Sequence, residues 1–411
     1  MEKCKVPLKK DFLFWGGLFL TMAVLVPNSV RASDYYVSPN GNDSNLGKET
    51  SPFRSIKKGI AALVAGDTLF IRGGTYSEIL ESHSGTNFPS GTSWANSVRV
   101  AAYPGEQVTL MGSIGIGKEQ PLTQYLIFDG ITIDAKDHKS GISIDGGAHH
   151  IRFINGEVKN SINYAGIYTS YRNDPNPGDD VFHEFINMKV HHNGIEGNFI
   201  GGFHIKTSGT SINNCQIHDN VGWGINVWAE EQEKTKENTF LNNQIWNNRS
   251  GGIRVNRSDT NLLYNNIVWN NQNGISVGRQ GNLNGTKVYH NTIYVNGGYG
   301  VIVYAGATNT DIRNNIIFNN STNIRQEGTG TILSNNLTKD PNFVNSAESD
   351  FHLSGSSPAI KSGKPLKEVS RDIDGLARDP SNPSIGAYEY KKSGDDSLSV
   401  PPISPKNLKI N

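Results

Sequence analysis

Cysteine is scarce in this sequence: its 411 residues contain only two, Cys4 and Cys215. Cys4 precedes an apolar N-terminal segment that we expect to be removed, so Cys215 alone would remain and no internal disulfide could form. An excess charge of one sign is also lacking, because 38 Lys and Arg balance 38 Asp and Glu. Without a net field to recruit polyanions, neither a nucleic acid nor an anionic membrane is an expected partner.

Beyond the N-terminus, the sequence has no apolar stretch with the spacing of an amphipathic core helix, apart from one short segment near residue 60. Hydrophobic residues make up 36% of the chain, and there are 45 glycines. This composition suits thin strands and many turns better than a thick globular core. The sequence therefore favours an all-β fold.

The N-terminus has the pattern of an export signal. Lys3, Lys5, Lys9 and Lys10 precede the apolar run FLFWGGLFLTMAVLVP, and small residues follow near position 32. We therefore predict a signal peptide over residues 1–32 and a secreted protein, extracellular or periplasmic, with no membrane contact after cleavage. An uncleaved anchor is the alternative, although the run is short for a bilayer span.

A short sequence motif, the NN phrase, has Asn at a fixed position and recurs about every two dozen residues in the middle of the chain. Self-similarity at such a period is typical of a solenoid, in which each repeat buries its apolar face against the next. The units hold β-branched runs closed by Asn and Gly, so we predict a parallel β-helix with inward Asn side chains bonded from coil to coil. The row begins at Cys215 and continues with Asn243, Asn266, Asn291, Asn315 and Asn336.

The period divides the chain into segments. Residues 33–97 should hold an N-terminal cap and the first strands, with an amphipathic capping helix near 53–64. The β-helix should run over 98–339, and an irregular C-terminal cap over 340–390. The Ser- and Pro-rich residues 391–411 form the expected flexible tail.

A second register appears when the strands are aligned on a leading glycine, as in GISID, GIYTS, GFHIK, GINVW and GIRVN. Since side chains alternate along a strand, the second and fourth residues after each glycine should point away from the core. The first column of outward residues is Ser143, Tyr168, His204, Asn226, Arg254 and Ser276. The second column is Asp145, Ser170, Lys206, Trp228 and Asn256.

Adjacent coils lie about 4.8 Å apart, and the two columns present cationic side chains beside aromatic and amide groups. These features suggest a binding surface for an acidic polysaccharide. The chemistry that fits is β-elimination from a uronate, which needs charge neutralisation, a base and an acid. Lys206 or Arg254 could neutralise the carboxylate or abstract the proton, and His204 with Tyr168 could form a base and acid pair.

Trp228 could stack on a sugar ring, and Asn226, Asn256 and Asp145 could bind substrate. The alternative is that these are ordinary polar side chains on a solvated sheet. The segment between Gly166 and Gly202, with Arg172, Asp179, Asp180 and Glu196, could wall a groove beside them.

Other polar clusters are weaker candidates. Asp134, Asp137 and His138 lie at an expected turn that could bind a cation or simply be hydrated. His191 and His218 lie on a different edge and lack Cys partners or regular ligand spacing, so no metal site is predicted there.

The segments DYYVSPNGNDSNLGKETSPFRSIKKGI, GDTLFIRGGTYSE and GGFHIKTSGTSINNCQIHDNVGWGINVW resemble secreted right-handed parallel β-helix proteins related to polysaccharide lyases. Family 9 pectate lyases are the most similar. The resemblance implies a calcium ion held by carboxylates and a catalytic lysine. The first carboxylate motif reads Gly201, Gly202 and Phe203 here, the second reads Val221 to Asn226, and Arg254 stands where the lysine would be. Calcium is thus not firmly implied, and no other cofactor is.

Several functions remain open. The leading hypothesis is a polysaccharide lyase, expected to be monomeric. A C5-epimerase would begin with the same proton abstraction. A glycoside hydrolase would need two carboxyl groups across the bond, for which Asp145 and Glu230 are the candidates. A carbohydrate-binding protein without catalysis is the alternative from another class.

Overall fold

The computed structural model describes residues 32–117, 122–171, 181–228 and 235–391. Within them the chain winds through three long sheets in a fixed order, and the neighbouring strands pair in parallel. This is the predicted parallel β-helix. Among the described residues, no helix has the length and apolar character needed to cross a membrane.

Sheet 1 has twelve strands, which begin each coil. They are Asp34–Val37, Thr68–Ile71, Val98–Ala102, Gln124–Asp129, His149–Ile154, Glu184–Ile186, Ser211–Asn213, Thr239–Leu241, Leu262–Tyr264, Lys287–Tyr289, Asp311–Arg313 and Ile332–Ser334.

Sheet 2 has ten strands and follows sheet 1 after a short turn. They are Gly74–Tyr76, Val108–Met111, Ile131–Asp134, Glu157–Lys159, Lys189–His191, Gln216–His218, Gln244–Trp246, Ile267–Trp269, Thr292–Tyr294 and Ile316–Phe318.

Sheet 3 also has ten strands and completes each coil. They are Ile79–Glu81, Ser113–Ile116, Ile142–Ile144, Ile167–Ser170, Ile200–Lys206, Trp223–Trp228, Gly251–Asn256, Ile275–Val277, Tyr299–Val303 and Thr322–Gln326.

The remaining elements are short. One α-helix spans Ile56–Ile60, and 3₁₀ turns lie at Ser82–Ser84, Trp94–Asn96 and Ser346–Glu348. Two further strand pairs complete the described elements: Leu283–Asn284 with Ala307–Thr308 in parallel, and Phe343–Asn345 with Asp350–Leu353 antiparallel.

The core is a continuous column of inward apolar side chains, one or two from each strand. In sheet 3, for example, Phe203, Ile225 and Ile253 lie in register and are fully buried. Burial of such side chains is the main favourable contribution to stability, at about 25 cal/mol for each Å² of apolar surface removed from water. Strand alternation then sends the residues between them to the opposite face of the sheet.

The predicted asparagine ladder is confirmed and lies buried at the turn between sheets 1 and 2. The Asn266 amide donates to Asn291 Oδ1 (2.9 Å) and to the Phe240 carbonyl (2.8 Å), and its own Oδ1 accepts from Asn243. The first residue of each NN pair takes the left-handed conformation that the turn needs, as at Asn265 with φ 55°. The NN phrase therefore encodes a turn residue followed by a ladder residue.

A second ladder, which was not predicted, runs through the turn between sheets 2 and 3. Each member donates its amide to the next, with N···O distances of 2.9 to 3.2 Å. Its members are Asn193, Asn220, Asn248, Asn271, Asn296, Asn320 and Asn323.

The N-terminal end of the β-helix differs from the prediction in two ways. A helix is present at residues 56–60, shorter than the expected 53–64, and packs on the first strands of sheet 1. Its capping role remains a prediction. The strands before residue 98 belong to the same three sheets, so the β-helix begins earlier than the predicted boundary.

Residues of the predicted C-terminal cap, 340–390, pack against the side of the stack, and their capping role remains a prediction. Phe351, Ala387 and Tyr388 cluster with Ile267 on the outer face of sheet 2. In the described part of the chain, Leu333 of the last sheet 1 strand remains 46% exposed although its register partner Ile312 is buried.

Candidate functional site

Six strands of sheet 3 bring the residues of the first column together, in the register that was predicted, beginning with Ser143 beside Tyr168. Tyr168 pairs with His204, His204 with Asn226, Asn226 with Arg254, and Arg254 with Ser276. The leading glycines permit this close stacking: a Cβ on Gly202 would lie 2.4 Å from the Gly224 carbonyl oxygen. The motif GFHIK therefore needs its glycine where one coil touches the next.

The second column is also in register where its residues lie within strands. Ser170 pairs with Lys206, and Trp228 with Asn256. The Lys206 ammonium lies 5.4 Å from the centre of a Trp228 ring, a cation–π contact that joins the two pairs. Asp145 follows the strand Ile142–Ile144 and is half-buried, at the N-terminal end of the column.

The alternative, that these are ordinary polar side chains on a solvated sheet, is wrong for the middle of the two columns. His204, Asn226 and Asn256 have no exposed surface, and Arg254 is 5% exposed. Although their side chains leave the core side of sheet 3, aromatic rings from the adjoining turns and strands surround them. Burying a guanidinium and amides in this way is costly unless each polar group finds a partner, so these are not ordinary surface residues.

A hydrogen-bonded chain links three residues of the first column. Arg254 Nε donates to Asn226 Oδ1 at 2.9 Å, and Asn226 Nδ2 lies 2.7 Å from His204 Nδ1. Arginine has only donors, so the Asn226 amide is oriented with its oxygen toward Arg254. The whole chain is buried, which strengthens its electrostatic interactions.

Aromatic rings enclose His204. Tyr168 stacks on its imidazole with 5.8 Å between ring centres and 13° between planes, and the edges of Tyr164 and Trp228 complete the enclosure. Tyr164 was not identified from the sequence, because it precedes the glycine-led strand and its position depends on the path of the turn.

Arg254 lies between two further rings that sequence reasoning missed. The centres of Phe199 and Trp223 are each 5.5 Å from the guanidinium carbon. Phe199 is 53% exposed and also lies 5.8 Å from the Arg279 guanidinium. Burial and the nearby Arg279 charge lower the pKa of Arg254 to about 10.

The environment of His204 favours its neutral form. Burial, with the added repulsion of Lys206 and Arg254, lowers the pKa of this imidazole to about 3. His204 therefore carries no charge at neutral pH in the free protein. It would not provide the near-neutral titration expected of an acid–base pair with Tyr168.

Several buried donors at the site have no hydrogen-bond partner among the described residues. They include His204 Nε2, the indole nitrogens of Trp223 and Trp228, Asn256 Nδ2 and the Ser276 hydroxyl. Buried polar groups are normally paired, and unpaired ones need an explanation.

The residues do not fit the calcium site implied by the family resemblance. Gly201, Gly202 and Phe203 provide no side-chain oxygen, and in the second motif only Asn226 has one, which accepts from Arg254. Across the described residues, no group of three or more His, Cys, Asp or Glu side chains is placed to hold a metal ion. Calcium prefers six to eight oxygen ligands, which these residues do not supply.

The other sequence candidates lie apart from these columns. His191 and His218 stack on each other at the outer face of sheet 2, where they pair with Glu157 and Asp219. Glu196 pairs with Arg249. Outside the described residues lie residues 1–31 of the predicted signal peptide (1–32), residues 392–411 of the predicted tail (391–411), and Arg172, Asp179, Asp180, Glu230 and Glu231.

The fold places the chain among the right-handed parallel β-helix proteins. Residues 35–339 match the family described as "Pel9A-like, right handed beta helix region". The chain therefore belongs to the Pel9A-like β-helix family.

Individual relatives match smaller parts. Pectate lyase PEL9 of Emericella nidulans is 39% identical over 97 residues, which cover 24% of this chain and 22% of that protein. The uncharacterized protein YwoF of Bacillus subtilis is 31% identical over 147 residues, covering 32% and 30%. The chain thus spans less than a third of each of these two curated relatives.

Among solved structures, pectate lyase Pel9A superposes with a TM-score of 0.58 at 19% identity, covering 87% of this chain and 96% of that one. This likeness concerns the fold alone.

Proposed function

We propose that this protein is a secreted polysaccharide lyase that cleaves a uronate-containing polysaccharide by β-elimination on the surface of sheet 3. The observation that carries the proposal is the buried arrangement of Arg254, Asn226 and His204, with Lys206 in the neighbouring column.

Charge at the site favours an acidic substrate. Lys206 and Arg254 belong to the two columns, and Arg257 and Arg279 lie 5.8 Å from the Trp228 and Phe199 rings. Between Tyr168 and Ser276 the two columns contain no carboxylate. The electrostatic attraction between a cation and a carboxylate is stronger in a site that contains little water than in bulk solvent. This surface would therefore bind and neutralise a uronate carboxylate.

The reaction needs a base, an acid and neutralisation of the carboxylate. Neutralisation acidifies the proton at C5, a base removes it, and the electron pair forms a double bond between C4 and C5. The bond from C4 to the glycosidic oxygen then breaks, and this oxygen takes up a proton. Lys206 and Arg254 are the candidates for neutralisation and for the base, and Tyr168 is a candidate for the acid.

Hydrolysis fits less well. It requires a pair of carboxyl groups about 5 to 10 Å apart on either side of the scissile bond. Asp145 lies at one end of the second column, and its proposed partner Glu230 is not among the described residues. C5-epimerisation shares the first step with elimination and differs only in how the intermediate is reprotonated.

Export is part of the proposal. Polysaccharides of this kind are too large to enter a cell, and the apolar segment at the N-terminus has the pattern of a signal peptide. The protein should therefore be found outside the cytoplasm with its first residues removed, and as a monomer by light scattering.

The test is to incubate the protein with a panel of uronate polymers and to follow the ultraviolet absorbance of the unsaturated product, with and without a chelator. We expect absorbance to rise on at least one polymer and to be insensitive to the chelator. Product without new absorbance would indicate a hydrolase, and inversion at C5 seen by proton NMR would indicate an epimerase. Binding of a polymer without any product would indicate a carbohydrate-binding protein that has no catalytic activity.

Variants locate the site. Arg254→Ala and Lys206→Ala should each lower kcat/KM by about 10²-fold or more, since stabilisation of charge in the transition state is a dominant catalytic term. His191→Ala on sheet 2 is the matched control and should retain activity. If the first two variants remained fully active, the substrate would bind to another face of the helix.

A further inference from the structure

The hydrogen-bonded chain of the first column determines which nitrogen of His204 carries the proton. Arg254 Nε can only donate, so the Asn226 atom at 2.9 Å from it must be the oxygen. The amide nitrogen of Asn226 is then the atom at 2.7 Å from His204 Nδ1. Because an amide nitrogen can only donate, Nδ1 must accept, and the proton of the neutral ring must lie on Nε2.

Two further observations agree with this assignment. His204 Nε2 is buried and has no partner among the described residues, as expected for a donor whose acceptor arrives with a ligand. Among the described residues, the charged and titratable groups around the ring are Lys206 and Arg254, with the phenols of Tyr164 and Tyr168 also in contact with it. None of these is a carboxylate that would stabilise an imidazolium.

We infer that Asn226 is a positioning residue: it holds His204 as the neutral Nε2–H tautomer, so that the ring donates a hydrogen bond to a substrate oxygen instead of removing a proton. The role of the donor rests on the proposed function, whereas the tautomer does not. A neutral donor beside two cations suits an oxygen that gains negative charge, such as a carboxylate oxygen of the intermediate or the leaving glycosidic oxygen. Proton abstraction then falls to another group, Lys206 or Arg254.

The tautomer can be measured without any substrate. The measurement is an NMR spectrum of protein labelled with ¹⁵N-histidine, in which the His204 signals are assigned by their loss in the variant His204→Gln. Nδ1 of His204 should appear as the unprotonated nitrogen and Nε2 as the protonated one. Neither should change between pH 5 and pH 9. A protonated Nδ1, or a titration within that range, would overturn the inference.

The variant Asn226→Asp tests the positioning role with almost no change of shape. A carboxylate can accept from Arg254 but cannot donate to His204, so it would require a proton on Nδ1. We expect the tautomer to reverse or the ring to become charged, and titration to move toward neutral pH. A wild-type spectrum in the folded variant would refute the role of Asn226. If this variant does not fold, Arg254→Met, which frees the amide to rotate, should give a mixture of tautomers.

A pair of substitutions separates a donor from a base once a cleaved polymer is known. His204→Gln places an amide N–H near the former Nε2, whereas His204→Asn reaches only to the former Nδ1. For a donor, the Gln variant should retain activity within about 10-fold and the Asn variant should lose about 10² to 10³-fold. Equal losses of that size would identify a base and reject the donor role. If no polymer is cleaved by the wild type, the proposed function fails while the tautomer measurement stands.

Discussion

Replacing Asn266 by alanine removes one member of the first asparagine ladder and four hydrogen bonds. Asn266 Nδ2 donates to Asn291 Oδ1 and the Phe240 carbonyl, and Asn266 Oδ1 accepts from the backbone and side-chain nitrogens of Asn243. Water cannot reach this buried position. At about 1 kcal/mol net for each neutral hydrogen bond, Asn266→Ala should lower the free energy of unfolding by about 4 kcal/mol.

The matched control is Asn336→Ala at the end of the same ladder. Asn336 makes three equivalent hydrogen bonds, to Ile312 and with Asn315, but it is partly exposed. Water can replace its partners, so the expected loss is about 1 kcal/mol. Equilibrium unfolding in guanidinium chloride, followed by circular dichroism, measures both values. Equal losses, or no loss at Asn266, would show that buried amide pairing does not stabilise the stack.

Two further predictions concern buried titratable groups. His183 and His204 have pKa values of about 3 in the folded protein because of burial, against about 6.5 when unfolded; the unfolded state therefore binds more protons below pH 6.5. Lowering the pH from 7 to 5 should therefore lower the free energy of unfolding by about 2 kcal/mol for each of these histidines. The variant His204→Gln should lose about 2 kcal/mol less than the wild type over the same pH range. Unfolding midpoints that do not change with pH would refute this prediction. Burial raises the pKa of the Cys215 thiol to about 12, so its labelling by a thiol reagent should require denaturant, and rapid labelling of the folded protein would contradict the structure.

Sequence patterns predicted the parts of this structure that depend on the strand repeat. The NN phrase located the first ladder, because the turn demands a left-handed residue before each buried amide. The glycine-led strands located both columns, because the approach of neighbouring coils at Gly202 leaves no room for a side chain. Such features recur at fixed spacing and can be read from one chain.

The enclosure of the site could not be predicted in the same way. Tyr164 and Phe199 reach His204 and Arg254 from turns, whose paths do not follow the strand repeat. Strand alternation predicts only which face of sheet 3 a residue occupies, so it placed Asn226 on the outward face but could not predict that other side chains bury it there. The second ladder was missed because the residue before each amide varies, from His192 to Val295.

The lateral attachment of the C-terminal segment has a consequence for how the molecule comes apart. Its contacts reach back along the stack: Arg378 donates to Asn265 at 2.8 Å, Glu368 pairs with Lys287, and the Lys364 carbonyl accepts from Asn314 at 2.7 Å. A solenoid normally unravels from its last coil inward, each coil exposing the next. Here unfolding that begins at the last strand of sheet 1 should stop at the coil that contains Asn314, because the C-terminal segment is hydrogen-bonded to that coil. The terminal coil can therefore unfold locally while the coils of the candidate site stay folded.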